Sequence, residues 1–360
     1  MAEALAMTTP IERRNDHPAS AGARRLGVYG LSVVEPDPRH MSTFSPSWYN
    51  AWEAKTYVQA CKNRSKTQWS VVRFGAGASG SATAREISSA LEISSQAALE
   101  EGRKSIETAG RLGKERLALL YFDCWGHASY LESAGSWKDS FSIDVIPWKI
   151  LKELQVGAFS CKIRSGRGAF VDGLRIASHL LAADAADAVL IGGLFRFHPV
   201  LGFSAASATA KTEKRWLGRQ GVYKAPVIER VGFALVGRPH SHDAGVLHAT
   251  DSPSSRLSAG FGASAVELSQ RFGETAAPVS AVIGGISPSS ALAELEAEAT
   301  LRFNRDAAYI NIVGMYGDSG GINPLLALSH QRKLRLHSPG NTALLCMESG
   351  EGDVQMILLE

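Results

Sequence analysis

The sequence predicts an α/β fold built from two similar halves. Three observations carry that expectation. Short apolar strands alternate with amphipathic helices from residue 25 onward, which is the grammar of a mainly parallel sheet. The second half repeats the order of the first, although no motif recurs in it. The apolar fraction of 45% against 20% charged residues lets 360 residues bury a large core.

Arg25-Leu-Gly-Val-Tyr-Gly-Leu-Ser-Val-Val reads as the first strand. Residues 36–80 are rich in Ser, Gly and aromatics and show no clean period, so loops and short helices are expected there. Thr83 to Gly110 is helical, with Ile87, Leu91, Ala98 and Ile106 on one stripe. Arg116-Leu-Ala-Leu-Leu-Tyr-Phe is a buried strand, and Ile146 to Gln155 a short helix. Next come a strand ending in Phe159-Ser-Cys-Lys-Ile, the turn Arg164-Ser-Gly-Arg-Gly-Ala, a helix from Phe170 to Ala186 and a strand from Asp187. Residues 198–225 are irregular, and Pro226 to Gly237 forms another strand.

In the second half, helices are expected over 263–272, 291–303 and 320–331. Strands are expected over 279–284, 308–314, 342–347 and 353–359. The segment 1–24 is polar, without an apolar h-region, and is expected to be a disordered leader. Residues 25–240 and 241–360 are taken as the two halves.

A net charge of +3 is small for this length and lends no support to a nucleic-acid or membrane-surface role. No run approaches the roughly 20 apolar residues of a membrane helix, so the cytoplasm is the expected compartment. Cys61, Cys124, Cys161 and Cys346 are scattered without paired spacing, which argues against a zinc site or a disulfide scaffold. Gly192-Gly193 and Gly284-Gly285 lack the context of a dinucleotide fingerprint.

Three segments carry a resemblance. The strand–turn–helix–strand from Gly157 to Phe197 resembles the nucleophile segment of ketosynthase III enzymes and the wider thiolase superfamily. Tyr316-Gly-Asp-Ser-Gly-Gly-Ile-Asn-Pro resembles that family's Tyr-Gly-Asn-Thr-Ser-Ala-Ala-Ser turn. The ending from Ser338-Pro-Gly-Asn onward matches its closing pair of strands around a glycine-rich turn. The resemblance covers most of residues 25–360 and implies the layered α-β-α-β-α plan of two duplicated β/α halves.

Enzymes of that family need a cysteine thiolate to take the acyl group, and a His and an Asn to stabilise an enolate oxygen. Counting back from Phe170 puts the cysteine at Arg167; counting forward from Phe159 puts it nearer Ser165. The His position falls at Gly285 and the Asn becomes Asp318, a carboxylate that accepts hydrogen bonds where the family donates one. A guanidinium stays protonated and is a poor nucleophile. The family's Gly-Asp-Gly-Ala turn is replaced near Glu229-Arg-Val-Gly-Phe-Ala.

Two functions from different classes follow from the resemblance. One is a non-catalytic ketosynthase-like subunit of fatty-acid or polyketide-type biosynthesis that pairs with an active β-ketoacyl synthase paralogue, or forms a homodimer. The other is an acyltransferase moving an acyl group from coenzyme A or a carrier protein to a hydroxyl or amine. In the second, Ser165 or a cysteine is the nucleophile and Asp318 orients His127 or His198. Cys161 lies within a strand and reads as core. Lys211, Lys214, Arg215, Trp216 and Arg219 form a candidate contact for the phosphates of coenzyme A or for an acidic acyl-carrier protein. No cofactor or metal is expected beyond an acyl-CoA or phosphopantetheine substrate.

Overall fold

The computed structural model describes residues 24–37, 41–44, 69–74, 84–107, 116–123, 148–163, 166–196, 225–239, 246–249, 255–256, 261–274, 279–287, 289–337, 342–348 and 353–359. The first half contributes β1 (Arg24–Val34), β2 (Met41–Phe44), β3 (Trp69–Val72), α1 (Ala84–Glu107), β4 (Leu117–Asp123), α2 (Trp148–Leu154), β5 (Phe159–Ile163), α3 (Ala169–Ala182), β6 (Ala188–Phe195), β7 (Val227–Ile228) and β8 (Arg230–Gly237). The second contributes β9 (Val246–Ala249), β10 (Ser255–Arg256), α4 (Phe261–Gly273), β11 (Ala281–Gly284), α5 (Ser290–Phe303), β12 (Ala308–Asn311), α6 (Ile312–Tyr316), α7 (Asn323–His337), β13 (Ala343–Glu348) and β14 (Asp353–Leu359). Single 3-10 turns at Gly166–Gly168 and Gly320–Ile322 precede α3 and α7.

The large sheet runs β12-β11-β13-β14-β9-β1-β8-β6-β4-β5. It contains the same pattern twice. In the first half β5, β4 and β6 are mutually parallel, and β8 and β1 follow antiparallel. In the second half β12, β11 and β13 are parallel, and β14 and β9 follow antiparallel. The two five-stranded units meet where β1 pairs with β9, Arg24 opposite Ala249 and Gly27 opposite Val246. The duplication expected from the order of elements is therefore present in the pairing.

The sheet is mixed, however, and not mainly parallel. Each half carries two antiparallel pairings, made by one reversed strand (β8 or β14), that the strand–helix alternation did not foretell. In the second half, β14 returns from β13 across a four-residue connection too short for a helical crossover. Around β8 the single strand expected over 226–237 divides: β7 joins β3 in a small separate sheet, and β8 joins the large one. The helix expected from Gly320 begins as the 3-10 turn before α7.

Three apolar clusters mark three helical layers. Along β4, Leu117, Leu119 and Tyr121 face α1 and α2, while Ala118, Leu120 and Phe122 face α3, the period-two alternation of a strand buried on both sides. Along β13, Leu344 and Cys346 face α4 and α5, while Ala343, Leu345 and Met347 face the central layer. That central layer holds α3 and α7, with Phe170, Leu174, Ile322 and Leu325 fully buried. Complete burial of one such side chain stabilises by about 1.5–3 kcal/mol. The result is an α-β-α-β-α stack.

Helix α1 approaches β1 so closely that a Cβ on Gly30 would overlap the Ala98 carbonyl. Strand β1 bulges there, its register on β8 shifting between Val28 and Gly30. Side chains from two layers satisfy the bulge. Leu31 N donates to Glu101 Oε2 at 2.7 Å. Arg332 on α7 donates to Glu101 Oε1 at 2.9 Å and to the Val28 carbonyl at 3.1 Å. Helix α5 starts at Ser289, whose hydroxyl accepts from Leu292 N at 3.0 Å. Among the described residues, no helix is long and apolar enough to cross a membrane.

Candidate functional site

Duplication brings the two central helices together end to end with the site. The 3-10 turn carrying Arg167 follows β5 and opens α3. The 3-10 turn beside Asp318 follows β12 and α6 and opens α7. Equivalent turns in the two halves thus present their N-termini to one another, and the loop leaving β11 at residues 285–287 forms the third side.

Arg167 and Asp318 make a two-pronged ion pair: Nη1 donates to Oδ1 and Nη2 to Oδ2, both at 2.7 Å. The Arg167 side chain is 24% exposed and that of Asp318 only 4%. Asp318 Oδ1 also accepts from Gly320 N at 3.0 Å and from Asn323 Nδ2 at 2.9 Å. Burial alone pushes this carboxyl up. The Arg167 guanidinium, with the donors from Gly320 and Asn323, more than offsets burial and brings its pKa to about 2. Its place ahead of the α7 turn adds the favourable field of a helix N-terminus.

The 285–287 loop joins this pair through a carbonyl. Ile286 O accepts from Asn323 Nδ2 at 2.8 Å and from Arg167 Nη1 at 3.3 Å. Gly285 just before it has φ +62°, and a Cβ there would overlap the Asn311 side chain. No larger residue fits at 285 without moving Asn311, which is itself committed to capping α6 through Gly314 N at 2.7 Å.

A second buried arginine braces the turn from behind. Arg230 on β8 donates to Ser319 Oγ and to the Tyr316 carbonyl, each at 2.7 Å, and to Glu35 Oε2 at 2.9 Å. Burial lowers its pKa, and Glu35 and Asp318 work in the opposite direction. Ser319 Oγ donates to the Ile228 carbonyl at 2.6 Å, and the Asp318 backbone bridges to Val227. Glu229, next to Arg230, accepts from Phe74 N at 3.0 Å and so ties β8 to the chain after β3.

The structure thus brings Arg167, Gly285 and Asp318 to one place. Ser165 lies outside the described residues, as do Lys211, Lys214, Arg215, Trp216, Arg219, His127 and His198. Cys161 is half-buried on edge strand β5, where burial raises its thiol pKa, and Cys346 is buried in the outer layer of the second half; neither adjoins the ion pair. Sequence reasoning missed Asn323, Arg230, Ser319 and Glu296. Their signal was present as polar side chains inside segments otherwise apolar enough to be buried, since a buried polar group needs a partner. No group of three or more metal-ligating side chains occurs among the described residues.

No family model and no curated protein matches the chain. Solved structures do. The ishigamide ketosynthase/chain length factor shares 14% identity over 93% of this chain and 98% of its own, with a TM-score of 0.55. OleA of Xanthomonas campestris with bound lauric acid and lauroyl-CoA shares 12% over 94% and 99%, with a TM-score of 0.54. The 3-oxoacyl-[acyl-carrier-protein] synthase III of Aquifex aeolicus shares 14% over 93% and 99%, with a TM-score of 0.50.

The chain has the thiolase-type fold of the ketosynthases.

At such identities the likeness is one of fold, and it extends over nearly the whole length of each chain. Within this frame the two central helices and the loop after β11 bring the Arg167–Asp318 pair and the Gly285 turn side by side.

Proposed function

We propose that this chain is a non-catalytic, ketosynthase-like subunit that works beside an active β-ketoacyl synthase. The observation that carries the reading is the Arg167–Asp318 ion pair. If Arg167, Gly285 and Asp318 hold the family's Cys, His and Asn positions, those positions supply no thiolate to accept an acyl group and no neutral donor for an enolate oxygen, and the nearby Asn323 amide is spent on Ile286 O and Asp318 Oδ1. It has instead a guanidinium and a carboxylate that satisfy each other. A charge pair closed on itself has little to offer a developing oxyanion, because the carboxylate repels it and the guanidinium is already engaged. The Gly285 turn supports the same reading, since a histidine there has no room beside Asn311.

The proposed setting is fatty-acid or polyketide-type biosynthesis, and the proposed partner is a cysteine-bearing paralogue of the same fold. One solved structure of this fold is a ketosynthase/chain length factor. The proposed acyl-carrier or coenzyme A contact is the basic segment with Lys211, Lys214, Arg215, Trp216 and Arg219.

The test is acyl loading of the purified chain. Intact-mass measurement after incubation with acyl-CoA is expected to show no adduct, and co-expression with a cysteine-containing ketosynthase paralogue is expected to give a stable complex. A stoichiometric acyl adduct on the isolated chain overturns the reading and moves weight to the acyltransferase alternative. In that case Ser165→Ala must abolish the adduct. Against the alternative stands the orientation of Asp318, whose two carboxylate oxygens both face Arg167.

A further inference from the structure

We propose that Glu296 is the positioning residue of the Arg167–Asp318 site, holding the loop after β11 so that the Ile286 carbonyl is aimed at the guanidinium. Glu296 sits on α5, in the outer layer of the second half, on the far side of β11 from the central helices. It is 1% exposed, an expensive place for a carboxylate unless its bonds are worth more than hydration. Two of its bonds are to groups that shape the loop. Its Oε2 accepts from Gly285 N at 2.6 Å and from the Tyr309 hydroxyl at 2.7 Å. Burial raises the Tyr309 pKa and the adjacent Glu296 raises it further, so the phenol remains a donor at any physiological pH.

The geometry leads from Glu296 to the ion pair in three short steps. Glu296 fixes Gly285 N, and Val313 N fixes Gly285 O at 3.0 Å, so both ends of this left-handed residue are tied. With Gly285 locked at φ +62°, the next carbonyl, Ile286 O, turns toward the central layer. There it accepts from Arg167 and from Asn323, and Asn323 shares the same amide with Asp318 Oδ1. Gly284 is required on the same account: a Cβ there would overlap Glu296 Oε2. A carboxylate buried behind a sheet thereby orients a carbonyl in front of it.

This role concerns the site on which the non-catalytic reading rests, yet it is tested by a different readout, so either can fail while the other stands. The experiment is peptide-resolved labelling of the full chain with phenylglyoxal, a reagent that modifies accessible guanidinium groups. Arg302, half exposed on α5, serves as the internal reference. Glu296→Ala is expected to raise the labelling rate of Arg167 relative to Arg302 by about tenfold, the factor for losing a buried charge-assisted hydrogen bond. Glu296→Gln keeps an acceptor for Gly285 N and is expected to restore most of the protection. Tyr309→Phe removes only the second donor and is expected to give an intermediate rate. If Glu296→Ala yields no folded protein, the ordering of wild type, Glu296→Gln and Tyr309→Phe carries the test. Equal relative labelling of Arg167 in folded wild type and variants overturns the proposal, because a merely structural glutamate lowers stability without unmasking that one arginine.

Discussion

Arg167 and Asp318 lie 151 positions apart and meet guanidinium to carboxylate, with Nη1 donating to Oδ1 and Nη2 to Oδ2, each at 2.7 Å. The pair closes the gap between the N-termini of the two central helices. Its geometry is the planar fork-to-fork match that arginine provides and lysine does not.

Breaking this pair from the arginine side strands a buried negative charge. Arg167→Met is expected to cost about 3 kcal/mol, near the lower end of the range for an uncompensated buried partner because Arg167 is partly exposed. The double variant Arg167→Met/Asp318→Asn is expected to recover part of that loss. Its neutral amide still accepts from Gly320 N and no longer carries an unpaired charge. Urea denaturation of the two single variants and the double variant measures the coupling, which must be non-additive for contacting residues.

Acid should act on the same carboxylate. Its folded pKa of about 2 lies below the ordinary value of 3.8, so the folded state holds the proton more weakly than the unfolded chain. The stability this contributes is fully present above about pH 4 and is lost as pH falls toward 2, about 2 kcal/mol in all. In Arg167→Met the main cause of the lowering is gone and burial dominates, so the sign reverses. The carboxyl then titrates above its ordinary value, and that variant gains stability relative to wild type as pH falls through 4. Denaturant midpoints between pH 2 and 6 read both slopes.

The Gly285 turn makes a further expectation possible. Gly285→Ala is expected to destabilise by about 2 kcal/mol or more, from a left-handed backbone and from overlap with Asn311. Asn311→Ala in the same chain should relieve the overlap but not the backbone strain, recovering only part of the thermal midpoint. A functional corollary concerns the combined variant Arg167→Cys/Gly285→His/Asp318→Asn. It is expected to form no condensation product from acyl-CoA and malonyl-carrier substrate while Asn311 remains in place.

The bulge in β1 predicts a stability effect far from the site. Glu101→Ala leaves the Leu31 amide without its carboxylate and removes the acidic partner of Arg332, an expected loss of about 0.5–1 kcal/mol because both bonds are open to water. Arg332→Ala should cost less, and the double variant less than the sum. Hydrogen exchange at Leu31 N is the local readout, and it should accelerate in Glu101→Ala.

Much of the layering was legible beforehand. The apolar run from Leu117 to Phe122 announced a buried strand, which the structure covers on both faces, and the bounds of β14 were foreseen to the residue. Arg167, Gly285 and Asp318, with Ser165 as the alternative to Arg167, were singled out from the family resemblance; the three that are described converge, and Ser165 lies outside the described residues. What escaped was polar: Asn323, Arg230 and Glu296 stand among apolar neighbours, and a one-dimensional pattern registers them as interruptions. Their partners, Ile286 O, Tyr316 O and Gly285 N, are backbone groups that carry no sequence signature at all.

By itself the sequence determined the periodicities, hence which segments become strands and helices and which faces they bury, because those depend on residues within a few positions of each other. It also determined that no cysteine stands between Arg164 and Phe170, at the opening of α3. Only the tertiary structure decided that one strand of each five-stranded unit, β8 or β14, runs against the other four, that Arg167 is paired and not a solvated turn residue, and that Gly285 leaves no room for a side chain. Those outcomes depend on groups brought together from well beyond the local pattern, 26 positions for Gly285 and Asn311 and 151 for Arg167 and Asp318, where strand direction and charge neutralisation are settled by packing rather than by neighbours in the chain.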